Sequence, residues 1–443
     1  MPTTFRPYDP DQLLLLPASL RDWLPEGHLA FFVSDAVEAL DLSAFYARYE
    51  GDGRRRQPFE PAMLVKVLIY GYAVGVFSSR QLARRLEEDV AFRVLAAGNF
   101  PAHRTIREFR QLHQTEFAAL FVQVVQLARE AGLVKLGRVG IDGTKVKANA
   151  SKHKAMSYGR LRETEARLKT EIAELLRRAE AQDAAEDGQY GVARRGDELP
   201  AELARREARL QVIQAAKARL EARQRAQDER DGRRIDDNGN TRGPGGKACQ
   251  RPFGVPADQA QENFTDPDSR IMKTGDGFQQ CYNAQAAVDE GSQLIVATTV
   301  TNGAADQGQL VPLVDAVRNN TGAVPTLTLA DSGYASEDTF AALEARELVA
   351  VVALGREGKA SRALDPERCP ATQRMAERLA TAEGQAHYRR RKVIPEPVFG
   401  WIKEVLGFRR FRVRGLTAVT GEWHLVCLAQ NLKRLQRLGW VPA

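Results

Sequence analysis

The stretch that follows Tyr282 alternates strand-like runs with helix-like segments, and this alternation constrains the fold more than any other feature of the chain. It predicts strands at residues 284–288, 293–301, 326–331 and 348–353, and helices at residues 310–318 and 337–346. Strands that alternate with helices form a mostly parallel or mixed sheet whose faces the helices cover. The sequence therefore predicts an α/β fold for this part of the chain.

Three acidic residues stand in recognisable local patterns. Asp142, in Val-Gly-Ile-Asp-Gly-Thr-Lys, and Asp331, in Leu-Thr-Leu-Ala-Asp-Ser-Gly-Tyr, each follow an apolar run and precede a turn signal. Such positions lie where a buried sheet opens to solvent, which is where α/β folds place their chemistry. Glu396 lies between two prolines at a predicted helix start, where proline and a carboxylate are both favourable. Together the three carboxylates can hold a pair of Mg²⁺ ions, as phosphoryl transfer on a nucleic acid requires.

The three motifs, in this order, resemble the DDE-class transposases of bacterial insertion sequences, and residues 285–289 extend the resemblance. The same group carries a Tyr-Arg-Glu-Lys signature, for which this chain offers Tyr388, Arg391 or alternatively Lys392, Glu396 and Lys403. The interval from Tyr to Glu is one residue longer here than in that signature. Since Lys403 comes seven positions after Glu396, a regular helix returns it to the same face two turns on.

The resemblance implies an RNase H-like mixed sheet flanked by helices, with two Mg²⁺ ions, or Mn²⁺ in their place, as cofactors. The catalytic and metal-binding residues that it implies are Asp142, Asp331 and Glu396. The implied activity is binding of the terminal inverted repeats of an insertion sequence, followed by metal-dependent DNA cleavage and strand transfer. The implied partners are double-stranded DNA, at the element ends and at the target, and a second copy of the chain in a homodimer on paired ends.

Each motif also has an ordinary structural interpretation. Asp142-Gly is a common hairpin turn, Asp331-Ser-Gly is a common loop opening, and a lone Glu beside prolines is usually solvated surface. Their coincidence in one order favours the catalytic interpretation. Two other functions stay open on the sequence alone: an RNase H-like DNA nuclease without strand transfer, and a transposase-derived regulator that binds DNA without catalysis.

Residues 1–132 are predicted to form a separate helical, helix-turn-helix-like DNA-binding domain. Helices are expected at residues 61–75, 79–87, 90–97 and 105–112, with Ser78 or Ser79 and then Thr105 as capping residues. This region resembles the amino-terminal domain of the same transposases. The residues expected to contact DNA are Lys145, Tyr388, Arg391 and Lys403 near the carboxylates, and Arg104, Arg107 and Arg110 on the fourth helix. Alternatively, these last arginines lie over a helical bundle that braces the catalytic domain.

The predicted catalytic domain, residues 133–435, is interrupted by a helical hairpin at 155–230 and a flexible basic loop at 231–270. Two apolar stripes mark the hairpin, one from Leu161 to Leu175 and one from Leu199 to Leu220, with Gly188, Gly191 and Gly196 in the join. A solvated coiled coil is one interpretation; a dimerisation seam or a DNA clamp are the others. Residues 423–428 are expected to form a last strand, followed by a basic helix.

Composition agrees with a DNA partner. The 443 residues carry 64 Lys and Arg against 57 Asp and Glu, so the formal net charge is +7, a modest excess that favours a polyanion. The four cysteines are far apart and form no CxxC pair, which indicates reduced thiols. With no signal peptide and no apolar run of about 20 residues, we expect a cytoplasmic protein, associated with the nucleoid when bound to DNA, and no membrane partner.

Overall fold

The computed structural model describes residues 19–49, 58–190, 201–355 and 365–442, and for residues 178–190 and 201–203 it describes the backbone alone. The strands in the described residues are β1 (Arg138–Lys147), β2 (Ala155–Ser157), β3 (Arg234–Ile235), β4 (Thr241–Arg242), β5 (Gln261–Asn263), β6 (Arg270–Thr274), β7 (Gly277–Asp289), β8 (Ile295–Thr301), β9 (Leu327–Ala330) and β10 (Ala350–Val352).

The α-helices are α1 (Leu29–Glu38), α2 (Ser43–Ala47), α3 (Pro61–Ala73), α4 (Ser79–Glu88), α5 (Val90–Leu95), α6 (His103–Leu112), α7 (Gln114–Glu130), α8 (Tyr158–Tyr190), α9 (Ala201–Arg230), α10 (Leu310–Thr321), α11 (Glu337–Glu344), α12 (Pro370–Ala380), α13 (Ala382–Arg390), α14 (Pro395–Gly400) and α15 (Leu416–Arg437). Among the described residues, no helix is both long enough and apolar enough to cross a membrane.

A six-stranded mixed sheet forms the centre of the molecule. β1 runs antiparallel to β7 and parallel to β9, and β9 runs parallel to β10. On its other side β7 pairs first with β6 and then with β8, both antiparallel. Helices α10 and α15 contact β8, α14 contacts β1, and α12 and α13 contact β10. The predicted α/β class, with an RNase H-like mixed sheet flanked by helices, is confirmed.

One predicted strand is wrong: residues 423–428 lie inside α15, a helix that is buried along most of its length. Trp423, Leu425 and Val426 are all buried. A short continuous apolar run does not distinguish a buried strand from a buried helix, because neither shows an alternation with polar residues. Helix α15 contacts the sheet at β8 and the amino-terminal helices α3 and α7 as well.

The amino-terminal helices are present as predicted, but they do not form a separate core. One continuous cluster of buried apolar residues extends from Ala30 through the sheet to Leu435. The hydrophobic core therefore continues across the predicted domain boundary between residues 132 and 133. The capping prediction at Thr105 is also wrong, since α6 begins at His103 with Ala102 as its N-cap. Ser78 is the N-cap of α4, although its side chain makes no capping hydrogen bond.

The insertion folds as the predicted antiparallel pair of helices, α8 and α9. Its apolar residues pack within the chain, since Leu161, Leu168, Ile213 and Leu220 are all buried. Ile172, Leu175 and Leu210 are only half-buried, so the described part of the hairpin covers its apolar seam in part. Of the residues expected at the join and on the second stripe, Gly191, Gly196 and Leu199 lie outside the described residues.

The segment 231–270 is mostly irregular, as its composition predicts, but it also contains short strands that the composition does not predict. β3 pairs with β4, and β5 pairs with β2. Two buried carboxylates hold this segment to α9: Asp228 accepts a hydrogen bond from the Gly254 backbone N–H at 2.9 Å, and Glu262 pairs with Arg223 at 2.5 Å. Strands of two or three residues are too short to show periodicity, so the sequence gives no sign of them.

Candidate active site

Asp142 lies in the middle of β1. The strand continues through Gly143 to Lys147, so the alternative of an Asp-Gly hairpin turn is wrong. Gly143 is required here because a side chain would collide with the polar groups beside it. A Cβ atom at this position would lie 2.6 Å from Asp306 Oδ1 and 3.0 Å from Asn283 Oδ1. The residue that follows Asp142 on this strand therefore lies against a crowded polar site.

Asp331 follows directly after β9, the parallel neighbour of β1. Gly140 pairs with Leu329, so Asp142 and Asp331 are each two residues further along adjacent strands. Asp331 caps a single helical turn, and its Oδ1 accepts a hydrogen bond from the Gly333 backbone N–H at 2.9 Å. The parallel register thus brings two of the three predicted carboxylates to the same edge of the sheet.

The electrostatics of Asp142 reflect this placement. Burial raises the pKa of Asp142 to about 6, although the hydrogen bond from the Gly143 backbone N–H acts in the opposite direction. The negative charges of Asp331 and Asp306 raise the pKa further, and the positive charge of Arg391 lowers it. A desolvated carboxylate among like charges is an arrangement that a bound cation would stabilise.

Glu396 lies on the helix that covers this part of β1. Helix α14 begins against Gly140, where a Cβ atom would lie 2.8 Å from both Ile394 Cγ2 and Pro395 Cδ. Gly140 and Asp142 share one face of the strand, so the start of α14 lies over the face that carries Asp142. The Glu396 side chain is exposed. The structure thus places the helix of Glu396 over the face of β1 that carries Asp142, and it records no contact between Glu396 and either aspartate.

Lys403 is positioned by a change of helix type. Residues Trp401–Val405 form a π-helical turn, marked by the hydrogen bond from the Leu406 N–H to the Trp401 carbonyl at 3.0 Å. The regular seven-residue repeat expected between Glu396 and Lys403 therefore does not apply. Lys403 Nζ donates to the Lys145 carbonyl of β1 at 3.2 Å, and burial lowers the pKa of Lys403. Turns of this type are frequent at functional sites.

The remaining signature residues lie just before α14. Arg391 is buried, and its guanidinium lies 5.5 Å from the centre of the Tyr388 ring. Its Nε has no hydrogen-bond partner among the described residues. Because Arg391 also acts electrostatically on Asp142, it contributes positive charge to the site. Lys145 is engaged within the site as well, since its Nζ lies 3.6 Å from Asp306 Oδ1.

Sequence reasoning missed a fourth carboxylate and the residues that hold it. Asp306 lies in the loop between β8 and α10, and its Oδ1 accepts hydrogen bonds from Asn283 Nδ2 and Gln285 Nε2, both at 2.6 Å. The Tyr334 hydroxyl donates to Gln285 Oε1. The spacing of Asn283 and Gln285 on one face of β7 was a usable signal. Asp306 follows no apolar run, so nothing in its surroundings distinguishes it from other loop acids.

The donor chemistry of the site fits a hard divalent cation. Asp142, Asp331 and Asp306 supply carboxylate oxygens, which Mg²⁺ and Mn²⁺ prefer over the nitrogen and sulfur ligands of zinc. Within the described residues, no group of three or more His, Cys, Asp or Glu side chains is already arranged to hold a metal ion. The fit therefore rests on the proximity of Asp142 to Asp331, and on the burial that raises the pKa of Asp142.

The arginines predicted to contact DNA on α6 divide into two kinds. Arg104 and Arg107 are exposed. Arg110 is 5% exposed and donates to the Tyr72 hydroxyl at 2.8 Å and to the Phe77 carbonyl at 2.9 Å. It also lies 3.6 Å from Glu422 on α15. The prediction of DNA contact at Arg110 does not fit this burial, because its guanidinium joins α6 to α3 and α15.

A second basic surface, which the sequence analysis did not single out, lies at the end of β1. Residues 409–411 pair in parallel alongside the last residue of that strand: the Lys147 N–H donates to the Arg409 carbonyl at 3.1 Å, and the Phe411 N–H donates to the Lys147 carbonyl at 2.9 Å. We call its exposed arginines the arginine strip: Arg409, Arg410, Arg412 and Arg414. The alternation of these arginines with buried Phe and Val in residues 408–413 was a usable signal.

Two family models match the chain. Residues 248–432 match a transposase DDE domain, and residues 18–112 match a transposase domain designated DUF772. The first match contains Asp331, Glu396 and Lys403 and begins after Asp142. The second contains helices α3 to α6. A search of curated proteins and a search of solved structures give no match.

Proposed function

Since the chain belongs to the DDE-class transposases of insertion sequences, we propose that it binds the terminal inverted repeats of its element and catalyses DNA cleavage and strand transfer. The observation that carries this proposal is the placement of Asp142 and Asp331 on adjacent parallel strands. The raised pKa of Asp142 supports it, because perturbed carboxylates in α/β folds mark functional sites more often than structural ones.

In the proposed mechanism, Asp142 and Asp331 hold divalent cations, Mg²⁺ in the cell, and Glu396 completes the set of ligands. When bound, such cations activate an attacking hydroxyl and stabilise the leaving 3′-oxygen of an in-line displacement at phosphorus. The carboxylates supply fixed negative charge. Because Asp142 is desolvated, its charge acts through a medium of lower dielectric than water and holds a cation more strongly.

The cationic side chains around the carboxylates have a positioning role in this proposal. Lys403 and Arg391 lie on the segment that covers β1, where they would neutralise the backbone phosphates of the strand being cut. The Tyr388 ring supports the Arg391 guanidinium from the side. Lys145 pairs with Asp306, so we propose that its main role is to neutralise that carboxylate within the site. Contact with DNA is a secondary role for Lys145.

Recognition of the element ends is proposed for the exposed arginines of α6, Arg104 and Arg107, while Arg110 fixes that helix to the rest of the protein. The arginine strip would hold DNA near the active site, because it pairs alongside the end of the strand that carries Asp142. Since both ends of an element must be joined before transfer, we further propose a homodimer on paired ends.

A strand-transfer assay tests this function. Purified protein is mixed with Mg²⁺, a labelled DNA carrying one element end, and a supercoiled target. The proposal expects the labelled end joined to the target. Cleaved ends without joined product would identify a nuclease on the same fold, and binding without cleavage would identify a DNA-binding regulator.

A further inference from the structure

Asp306 lies inside the candidate active site although it belongs to none of the three predicted motifs. Its side chain is 20% exposed, and one of its two oxygens, Oδ1, accepts from the Asn283 and Gln285 amides at 2.6 Å. Lys145 Nζ lies 3.6 Å from the same oxygen. Two amide donors and one nearby ammonium group on a single oxygen fix the orientation of this carboxylate.

The other oxygen of Asp306 faces Asp331. A Cβ atom built on Gly333 would lie 3.0 Å from Asp306 Oδ2 and 2.9 Å from Asp331 Oδ1. Both oxygens therefore lie around one point next to Gly333, which carries no side chain to fill it. Among the described residues, nothing donates a hydrogen bond to Asp306 Oδ2.

A second, independent observation concerns a buried atom without a partner. Asn283 is fully buried, and its Oδ1 accepts no hydrogen bond from any described residue. A Cβ atom built on Gly143 would lie 3.0 Å from this oxygen and 2.6 Å from Asp306 Oδ1. A buried amide oxygen without a donor costs about 1–3 kcal/mol, so its orientation into the site indicates a group that satisfies it when bound.

We propose that Asp306 is a fourth carboxylate of the cation site, with Oδ1 anchored by the β7 amides and Oδ2 sharing a divalent cation with Asp331. A hydrated Mg²⁺ keeps several of its waters, and such a water is a donor for Asn283 Oδ1. This inference rests on the proposed function in one respect only: it assigns a further residue to the same cation site.

The test measures cation binding without DNA. The metal-free full-length protein is titrated with Mn²⁺, and the free ion is followed by its electron paramagnetic resonance signal. Asp306→Asn keeps the size of the side chain and an oxygen for the amides, and we expect it to weaken Mn²⁺ binding by on the order of tenfold or more. Asp315→Asn is the matched control. The Asp315 carboxylate lies on α10, is exposed and pairs with Arg346, so this variant should bind Mn²⁺ as the wild type does.

A second variant protects the test against a folding defect in Asp306→Asn. Gly333→Ala introduces a methyl group between the two oxygens, at a residue whose backbone has no positive φ, and should weaken Mn²⁺ binding as well. Melting curves in chelator show which variants are folded. The inference is overturned if folded Asp306→Asn binds Mn²⁺ with wild-type affinity. If Asp306→Asn does not fold, wild-type affinity in folded Gly333→Ala overturns the inference instead. Binding is measured without DNA, so failure to transfer DNA strands would overturn the proposed function and leave this result standing.

Discussion

At the scale of single residues, the site depends on one carboxylate that is costly to ionise. Asp142 is buried next to Asp331 and Asp306, and its pKa is raised to about 6. An unfolded chain titrates such a group near 4, so between these pH values the folded protein holds the extra proton. The unfolding free energy of the metal-free protein therefore falls as pH rises from about 4 to about 6.

Asp142→Asn should remove that pH dependence. At pH 8 in chelator the variant should be more stable than the wild type by about 1–3 kcal/mol, because two pKa units correspond to roughly 2.7 kcal/mol and residual solvent contact reduces this. At pH 4 the two proteins should be equal. Denaturant unfolding at both pH values measures the difference. A stability difference that is the same at pH 4 and pH 8 would contradict the assigned burial of a charged Asp142.

Arg110 and Arg107 provide a second residue-scale prediction, since they lie one turn apart on α6 and have opposite environments. Arg110→Ala leaves the buried Glu422 carboxylate without its counter-charge, although the Tyr72 hydroxyl still donates to it, so the substitution should lower the unfolding free energy by about 3–5 kcal/mol. Arg107→Ala should change stability by less than about 0.5 kcal/mol and weaken binding to element-end DNA. Equal effects of the two substitutions on stability would show that the buried network is unimportant.

At the scale of elements, the sequence predicts a half-buried helix or strand better than a fully buried one. The strands and helices after Tyr282 were predicted within a few residues of their bounds because each shows alternation or a clear turn signal. Helix α15 was missed because it is buried on most sides and shows no alternation. The π-helical turn at Trp401–Val405 was missed because helix type depends on packing and not on local propensity.

The residues of the candidate site were also predictable only in part. Asp142 and Asp331 follow recognisable local patterns, so their placement at one sheet edge was predictable from motifs alone, whereas the role of Glu396 stays a prediction. Asp306 was not predictable, because a loop acid acquires its role from Asn283 and Gln285 on a strand that precedes it by about twenty residues. Contacts of this kind depend on strand register, which a single sequence does not specify.

The arginine strip leads to an element-scale prediction. Arg410 and Arg412 are exposed and pair with no carboxylate among the described residues, whereas Arg409 pairs with Glu404. Arg410→Ala with Arg412→Ala should weaken DNA binding at all sequences and reduce the slope of log affinity against log salt by about 2, one unit for each lost phosphate contact. Fluorescence titrations at several salt concentrations measure both quantities. Arg409→Ala is the matched control and should change the slope less; an unaltered slope in the double variant would remove the strip from the DNA interface.

At the scale of the whole molecule, one hydrophobic core joins the amino-terminal helices to the catalytic sheet through α15. DNA that α6 is proposed to hold would therefore be positioned relative to Asp142 by packing and not by a linker. The helical hairpin α8 and α9 buries part of its own apolar seam: Leu161, Leu168 and Ile213 are buried, whereas Ile172 and Leu175 are half-buried.

The measurement that tests the central claim most directly is cleavage of element-end DNA in Mg²⁺ by Asp142→Asn, Asp331→Asn and Glu396→Gln, with Asp315→Asn as control. All three substitutions should reduce cleavage by at least about a thousandfold while leaving affinity for the end DNA within a few-fold, because carboxylates that hold catalytic cations are not the recognition surface. The control should cleave normally. Near-normal cleavage by Asp142→Asn or Asp331→Asn would contradict the account, because it would show that the chemistry takes place without the two carboxylates that the sheet brings together.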